Sequence, residues 1–170
     1  IFALDNLWDG LGALVANNPD VKYFFGKVTM YPHFNHEARN ILLYFLERFF
    51  PDKEKLITLI NRLDTGIDYK KYDAIFKGND YKENYKILNA QVRNLGENIP
   101  PLINSYMNLS PTMQTFGTSI NPYFGDVEET AIMLTIPDIY ETKLERYVGT
   151  YLKNIAEGKT KLHIDKISNR

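Results

Sequence analysis

Apolar positions along this chain follow two different spacings, and the change from one to the other predicts its elements. From 4 to 16, Leu4, Leu7, Trp8, Leu11, Leu14 and Val15 recur three or four residues apart, the period of a helix with one buried stripe, and Asn17-Asn18-Pro19 stops it. Val21 to Met30 (VKYFFGKVTM) is β-branched and aromatic, which predicts a strand with a bulge at Gly26. Tyr31-Pro32-His33-Phe34 is its exit loop. Asn35 then has the place and chemistry of an N-cap for a second amphipathic helix, with Ala38, Ile41, Leu42, Phe45, Leu46 and Phe49 on one face and Pro51 beyond its end.

Between 52 and 98 apolar residues thin out and Lys, Asp, Asn and Tyr dominate. Helices are predicted over Lys55 to Leu63 and Tyr81 to Leu95, the second closed by Gly96. Mixed charge of this kind reads as an inserted, solvated helical excursion. The interleaving of Tyr69, Tyr72, Tyr81 and Tyr85 with lysines also fits a lid or partner surface.

The stretch from Pro100 to Tyr140 organises the rest. A short helix opened by Pro100-Pro101 leads to two strand-like runs joined by Asn121-Pro122-Tyr123-Phe124-Gly125-Asp126. Thr130 to Ile136 reads as a strand covered on both faces, and Pro137 as the start of a last helix whose period runs from Ile139 to Ile155. From Gly158 a polar tail remains. The expectation is one domain over 1–157 with a helical insertion at 52–98, then a tail over 158–170. Helices and strands at short loop lengths predict an α/β (α+β) fold, a mixed sheet flanked by helices.

Composition narrows the function classes. The 170 residues are 44% hydrophobic and 24% charged, enough to bury one core. A formal net charge of −1 supplies no broad drive toward nucleic acid. The lack of cysteine removes disulfides, zinc–thiolate sites and a cysteine nucleophile, and fits a cytoplasmic setting. No run approaches the roughly 18 apolar residues of a membrane span, and no signal peptide is visible. Ile1 in place of an initiator Met, with a helical pattern directly after it, suggests a piece cut from a longer protein.

Candidate chemistry gathers at two places. Asp126, Glu128 and Glu129 bring carboxylates up to a buried strand, where a proton acceptor or an amine-gripping group can arise; alternation sends Glu128 and Glu129 to opposite faces. Tyr31, His33 and His36, with Glu37 beside them, sit at a strand's exit. The histidine spacing matches no established zinc pattern, so no metal is expected. Phe116-Gly117 and Phe124-Gly125 mark bulge or positive-φ positions. The signatures GxGxxG, GxxxxGK[ST], GxSxG and HExxH are missing from the sequence, which leaves nucleotide-fold, P-loop, esterase and zincin readings unsupported.

Three motifs carry a resemblance. Leu7-Trp8 with Gly10, Gly12 and Pro19, the Pro100-Pro101-Leu102-Ile103 helix with Tyr106 and Leu109, and Phe124-Gly125 with an acid a few residues on resemble bacterial GNAT-type N-acyltransferases. These are the first-step enzymes of ornithine-lipid and glycine-lipid synthesis, often labelled hemolysins; no pore-forming element supports that label here. The resemblance covers most of the chain outside 52–97. It implies the C-terminal portion of a GNAT-like fold, with Val21 to Met30 as the strand that splays to admit an acyl-pantetheine arm and Thr112 to Ile136 as the terminal hairpin.

The activity it implies is N-acyl transfer: an amino acid's α-amine attacks the thioester of a long-chain, often 3-hydroxy, acyl group on acyl carrier protein, or on coenzyme A, with no tightly bound cofactor. Glu128 or Glu129 would be the family's acid, and Tyr31 and His33 would stand near the leaving thiol. Asn121, Asp126 and His36 are candidates for substrate binding. In such folds the oxyanion donor and pantetheine loop precede the helix starting near Ala3, so the 170 residues alone are expected to be inactive. Peripheral contact with the inner membrane and homodimerisation through an exposed sheet edge are further expectations. The rival from another class is a non-catalytic domain whose acidic hairpin and Tyr/Lys-rich insertion dock acyl carrier protein or a partner acyltransferase.

Overall fold

The computed structural model describes residues 2–159; all but the first two residues of the predicted polar tail, 158–170, lie outside them. Helix α1 (Phe2–Asn17) runs into strand β1 (Tyr23–Met30), then α2 (His36–Phe49). The Asn35 side chain accepts hydrogen bonds from Glu37 N and Ala38 N, so the predicted cap does satisfy two free donors of α2. Helices α3 (Tyr69–Ile75), α4 (Tyr81–Asn94) and α5 (Pro101–Met107) follow. Strands β2 (Gln114–Asn121) and β3 (Val127–Thr135) make the expected hairpin. Helix α6 (Glu141–Leu144), a π-helical stretch (Glu145–Gly149) and α7 (Thr150–Ala156) end the described chain.

Helices and one sheet give the α+β fold expected of the chain. Where a mixed sheet was expected, the strands described are all antiparallel, in the order β1-β3-β2. The sheet has two unlike faces. Glu128, Thr130, Ile132 and Leu134 of β3 are buried under the helices, with Val28 and Met30 of β1, and Ile41, Leu42 and Phe45 of α2 join them in one core. The alternate residues Tyr23, Phe25 and Lys27 look outward from β1, with Glu129, Ala131 and Met133 on β3 partly covered.

Several local expectations are corrected. Pairing runs through Gly26 without a break, so β1 carries no bulge; the register shift falls in β2 between Thr115 and Thr118, at Phe116-Gly117. Gly117 has φ +86, a conformation that a side chain disfavours, and a Cβ there would lie 2.9 Å from Leu59 Cδ1. The helix predicted over Lys55 to Leu63 does not form. Instead Leu63 N donates to Thr118 O (2.8 Å), Arg62 bridges Ser119 and Pro51 bridges Thr115, so this segment satisfies the outer edge of β2. Pro137 lies in a 3-10 turn, Ile136–Asp138, and the last helix begins only at Glu141.

The stretch 52–98 is solvated on one side only. Tyr72, Phe76, Leu88 and Val92 are buried in the main core, and α3, capped by Asp68, was not expected from the pattern. Leu88 and Val92 lie on the buried side of α4, which packs on α2, while Tyr72 and Phe76 come from α3 and its C-cap; so scattered a set makes no continuous stripe in the sequence. At the other end of the molecule α1 approaches the π-helical stretch so closely that a Cβ on Gly12 would sit 2.5 Å from Tyr147 O.

Candidate functional site

Glu128 and Glu129 are neighbours at the start of the central strand and lead opposite lives. Register places Glu128 between Met30 of β1 and Ile120 of β2, on the face beneath the helices, where it is 8% exposed. Helix α2 supplies its partner: Arg39 Nη1 lies 2.5 Å from Glu128 Oε1, and both side chains are buried. The second carboxylate oxygen, Oε2, is buried with no hydrogen-bond partner. A carboxylate oxygen in that state is costly and calls for a reason: strain, a bound water or ion, or a catalytic role.

Arg39 is held in turn. Its Nε donates to Asn40 Oδ1 (3.0 Å), and Asn40 Nδ2 donates to Thr65 O (2.9 Å). The Tyr72 hydroxyl interacts with Glu37 and Asn40; burial, reinforced by the Glu37 charge, pushes it up to about 12. Lys71 Nζ closes on Glu37 Oε1 at 2.5 Å. Residues from 52–98 thus reach the buried carboxylate through Asn40 and Arg39.

Glu129 faces the other way. Lys27 Nζ donates to its Oε2 at 2.7 Å across the β1–β3 pair, and Lys27 is 58% exposed. That hydrogen bond, opposed in part by burial and helped by Asn121, holds the carboxyl below its ordinary range. Each glutamate is thus paired with a cation; Glu128 differs in having a buried second oxygen left without a partner.

The remaining candidates line the same end of the sheet. Tyr31 and His33, just past β1, stack at 5.8 Å with 12° between planes, both exposed. His36 opens α2 on the surface. Asn121 caps the turn by accepting from Tyr123 N, and Asp126 is exposed at φ +55. The structure therefore joins Glu128 to Arg39, which was not among the expected residues, and ties Asn121 to Glu129 rather than to Glu128. A sequence signal for Arg39 did exist: Arg39, Leu42, Leu43 and Leu46 share one helical arc, which puts a cation on the buried side of α2. Among the described residues no group of three or more His, Asp or Glu is placed to hold a metal ion. No described helix is long and apolar enough to cross a membrane.

The fold is thus an α+β assembly of helices on one face of an antiparallel sheet, with a buried Arg–Glu pair at the mouth of its central strand. Over 157 residues the chain is 54% identical to the glycine N(alpha)-acyltransferase of Phocaeicola vulgatus, covering 92% of this chain and 48% of that protein. Over 154 residues it is 51% identical to the glycine N(alpha)-acyltransferase of Bacteroides thetaiotaomicron, covering 91% and 46%. This bears out the resemblance drawn from the motifs: the chain is similar to part of two bacterial glycine N(alpha)-acyltransferases, and spans about half the length of the curated relatives it matches. No protein-family model and no solved structure matches it.

Proposed function

We propose that the full-length protein transfers a long-chain acyl group, commonly 3-hydroxylated, from a thioester of acyl carrier protein to the α-amine of glycine, forming an N-acyl amino-acid lipid. The observation that carries the reading is identity above one half, along nine-tenths of the chain, to two proteins named for glycine N-acylation. The amine nitrogen attacks the thioester carbonyl; the C–N bond forms, the C–S bond breaks, and the nitrogen gives up a proton. Glu128 Oε2 receives that proton, directly or through one water. The unpartnered oxygen supports Glu128 over Glu129, whose carboxylate Lys27 already occupies. Tyr31 and His33 return a proton to the departing thiolate, and Asn121, Asp126 and His36 line the approach of the amino acid. The work is done in the cytoplasm, at the inner face of the membrane into which the product partitions.

The experiment is lipid mass spectrometry on cells expressing the full-length protein beside its Glu128→Gln and Glu129→Gln variants. A new N-acylglycine is expected, reduced about 10²- to 10⁴-fold by Glu128→Gln and largely retained by Glu129→Gln. A soluble, folded protein that yields no N-acyl amino acid refutes the reaction. The 170 residues alone are expected to be inactive, and turnover by that purified chain would overturn the expectation.

A further inference from the structure

The buried pair raises a question that acyl transfer by itself does not answer: why a carboxylate that must exchange a proton is tied to a guanidinium sealed under helices. Arg39 reaches Glu128 with one nitrogen only, engaging Oε1 and leaving Oε2 free. Its Nε is fixed by Asn40, whose amide is fixed by the Thr65 carbonyl, and Asn40 also meets the Tyr72 hydroxyl in the middle of α3. Each link is a directional hydrogen bond, and each later partner belongs to the stretch 52–98. Met30 and Ile120, which flank Glu128 on the neighbouring strands, bring no titratable group toward it, and Glu129 with Lys27 faces away. Arg39 is the cation that the described structure brings to this carboxylate.

We infer that Arg39 is a positioning residue for the proton-accepting Glu128, holding Oε1 so that Oε2 keeps no protein partner and can take the amine's proton through one water, and that 52–98 acts on the reaction by clamping Arg39 through Asn40. This rests on the proposed acyl transfer. It also gives 52–98 a task other than a lid: the segment sets the aim of a carboxylate it does not touch. A planar guanidinium anchored at two nitrogens fixes direction as well as charge, which an ammonium cannot do. Displacing a reacting group by about 1 Å is enough to cost about a hundredfold in rate.

The test uses the full-length protein with glycine and a long-chain 3-hydroxyacyl thioester of acyl carrier protein, comparing wild type with Arg39→Lys, Arg39→Met, Asn40→Ala and Glu128→Gln. Arg39→Lys keeps the charge and loses the fork; its kcat is expected to fall about ten- to a hundredfold with KM for the thioester unchanged. Arg39→Met leaves a buried carboxylate without its cation, and its kcat is expected to fall further than that of Arg39→Lys, again with KM for the thioester unchanged. Asn40→Ala shows a smaller loss of kcat in the same sense. A role confined to stability would lower the melting temperature and leave the kcat and KM of the folded variants alone. Arg39→Lys with wild-type kcat, beside an inactive Glu128→Gln, overturns the inference, and it decides the matter if Arg39→Met does not fold. An active Glu128→Gln overturns instead the assignment of the proton acceptor on which the inference rests.

Discussion

The two faces of the sheet carry adjacent glutamates, each in an ion pair, and the pairs are not equivalent. Glu128–Arg39 lies under the helices with both side chains buried; Glu129–Lys27 lies on the outward face with the lysine in water. Coulomb attraction at a similar separation is weakened by solvent on one face and sustained on the other. Desolvation runs the opposite way, so the buried pair is expensive to form and far more expensive to break. A salt bridge therefore says little until its face is known. Of the two pairs, the buried one alone leaves a carboxylate oxygen without a partner, a state it shares with Asp52 Oδ1 and Gln114 Oε1, and its place beside a buried cation makes its face the candidate site.

The comparison can be broken in stages, measured as changes in unfolding free energy or melting temperature. The largest effect should come from removing one partner of the buried pair: Arg39→Met is expected to destabilise by about 3–5 kcal/mol, while Lys27→Met on the outward face costs about 0–1 kcal/mol. Equal losses would mean that the faces do not differ as argued. Next come the apolar residues. Leu134→Ala under the helices should cost about 2–5 kcal/mol for the lost burial and the cavity, whereas Phe25→Ala, with Phe25 62% exposed, should stay within about 1 kcal/mol.

The smallest effect is a pH dependence on the outward face. Lys27 lowers the Glu129 carboxyl in the folded state, so its contribution is present above the ordinary glutamate range and is lost as pH falls through the lowered folded value. Comparing acid melts of wild type and Lys27→Met should show this small loss, and added salt should erase the difference. A difference that persists in high salt would place this pair, too, in a shielded setting.

Much of the architecture was legible in the chain. The helix α1, the amphipathic stripe of α2, the Asn35 cap, the Pro100-Pro101 opening, the Gly96 stop and the turn between β2 and β3 are local features, and local chemistry suffices to specify them, although Leu7 and Leu14 of the expected α1 stripe are exposed. The Phe-Gly pairs marked positive-φ positions, as Gly117 and Gly125 prove to be. The helix over Lys55 to Leu63 failed because its backbone is used elsewhere: the exposed edge of β2 offers Thr118 O, and tertiary pairing outweighs a helical spacing worth tenths of a kcal/mol per residue. Gly26 suggested a bulge, but β1 pairs in unbroken register with a central strand.

The site divides in the same way. Alternation along a strand is a covalent fact, so the sequence by itself determined that Glu128 and Glu129 point to opposite faces, and that both meet a buried run. Which of those faces the helices cover is a property of layer packing between residues far apart in the chain. Only the tertiary structure decided that Glu128 goes inside, that Arg39, 89 positions away, meets it there, and that Thr65 and Tyr72 steady the contact. Charge spacing along the chain cannot encode such a pairing, because the free energy that seats it comes from burying Ile41, Leu42, Phe45, Ile132 and Leu134 around it.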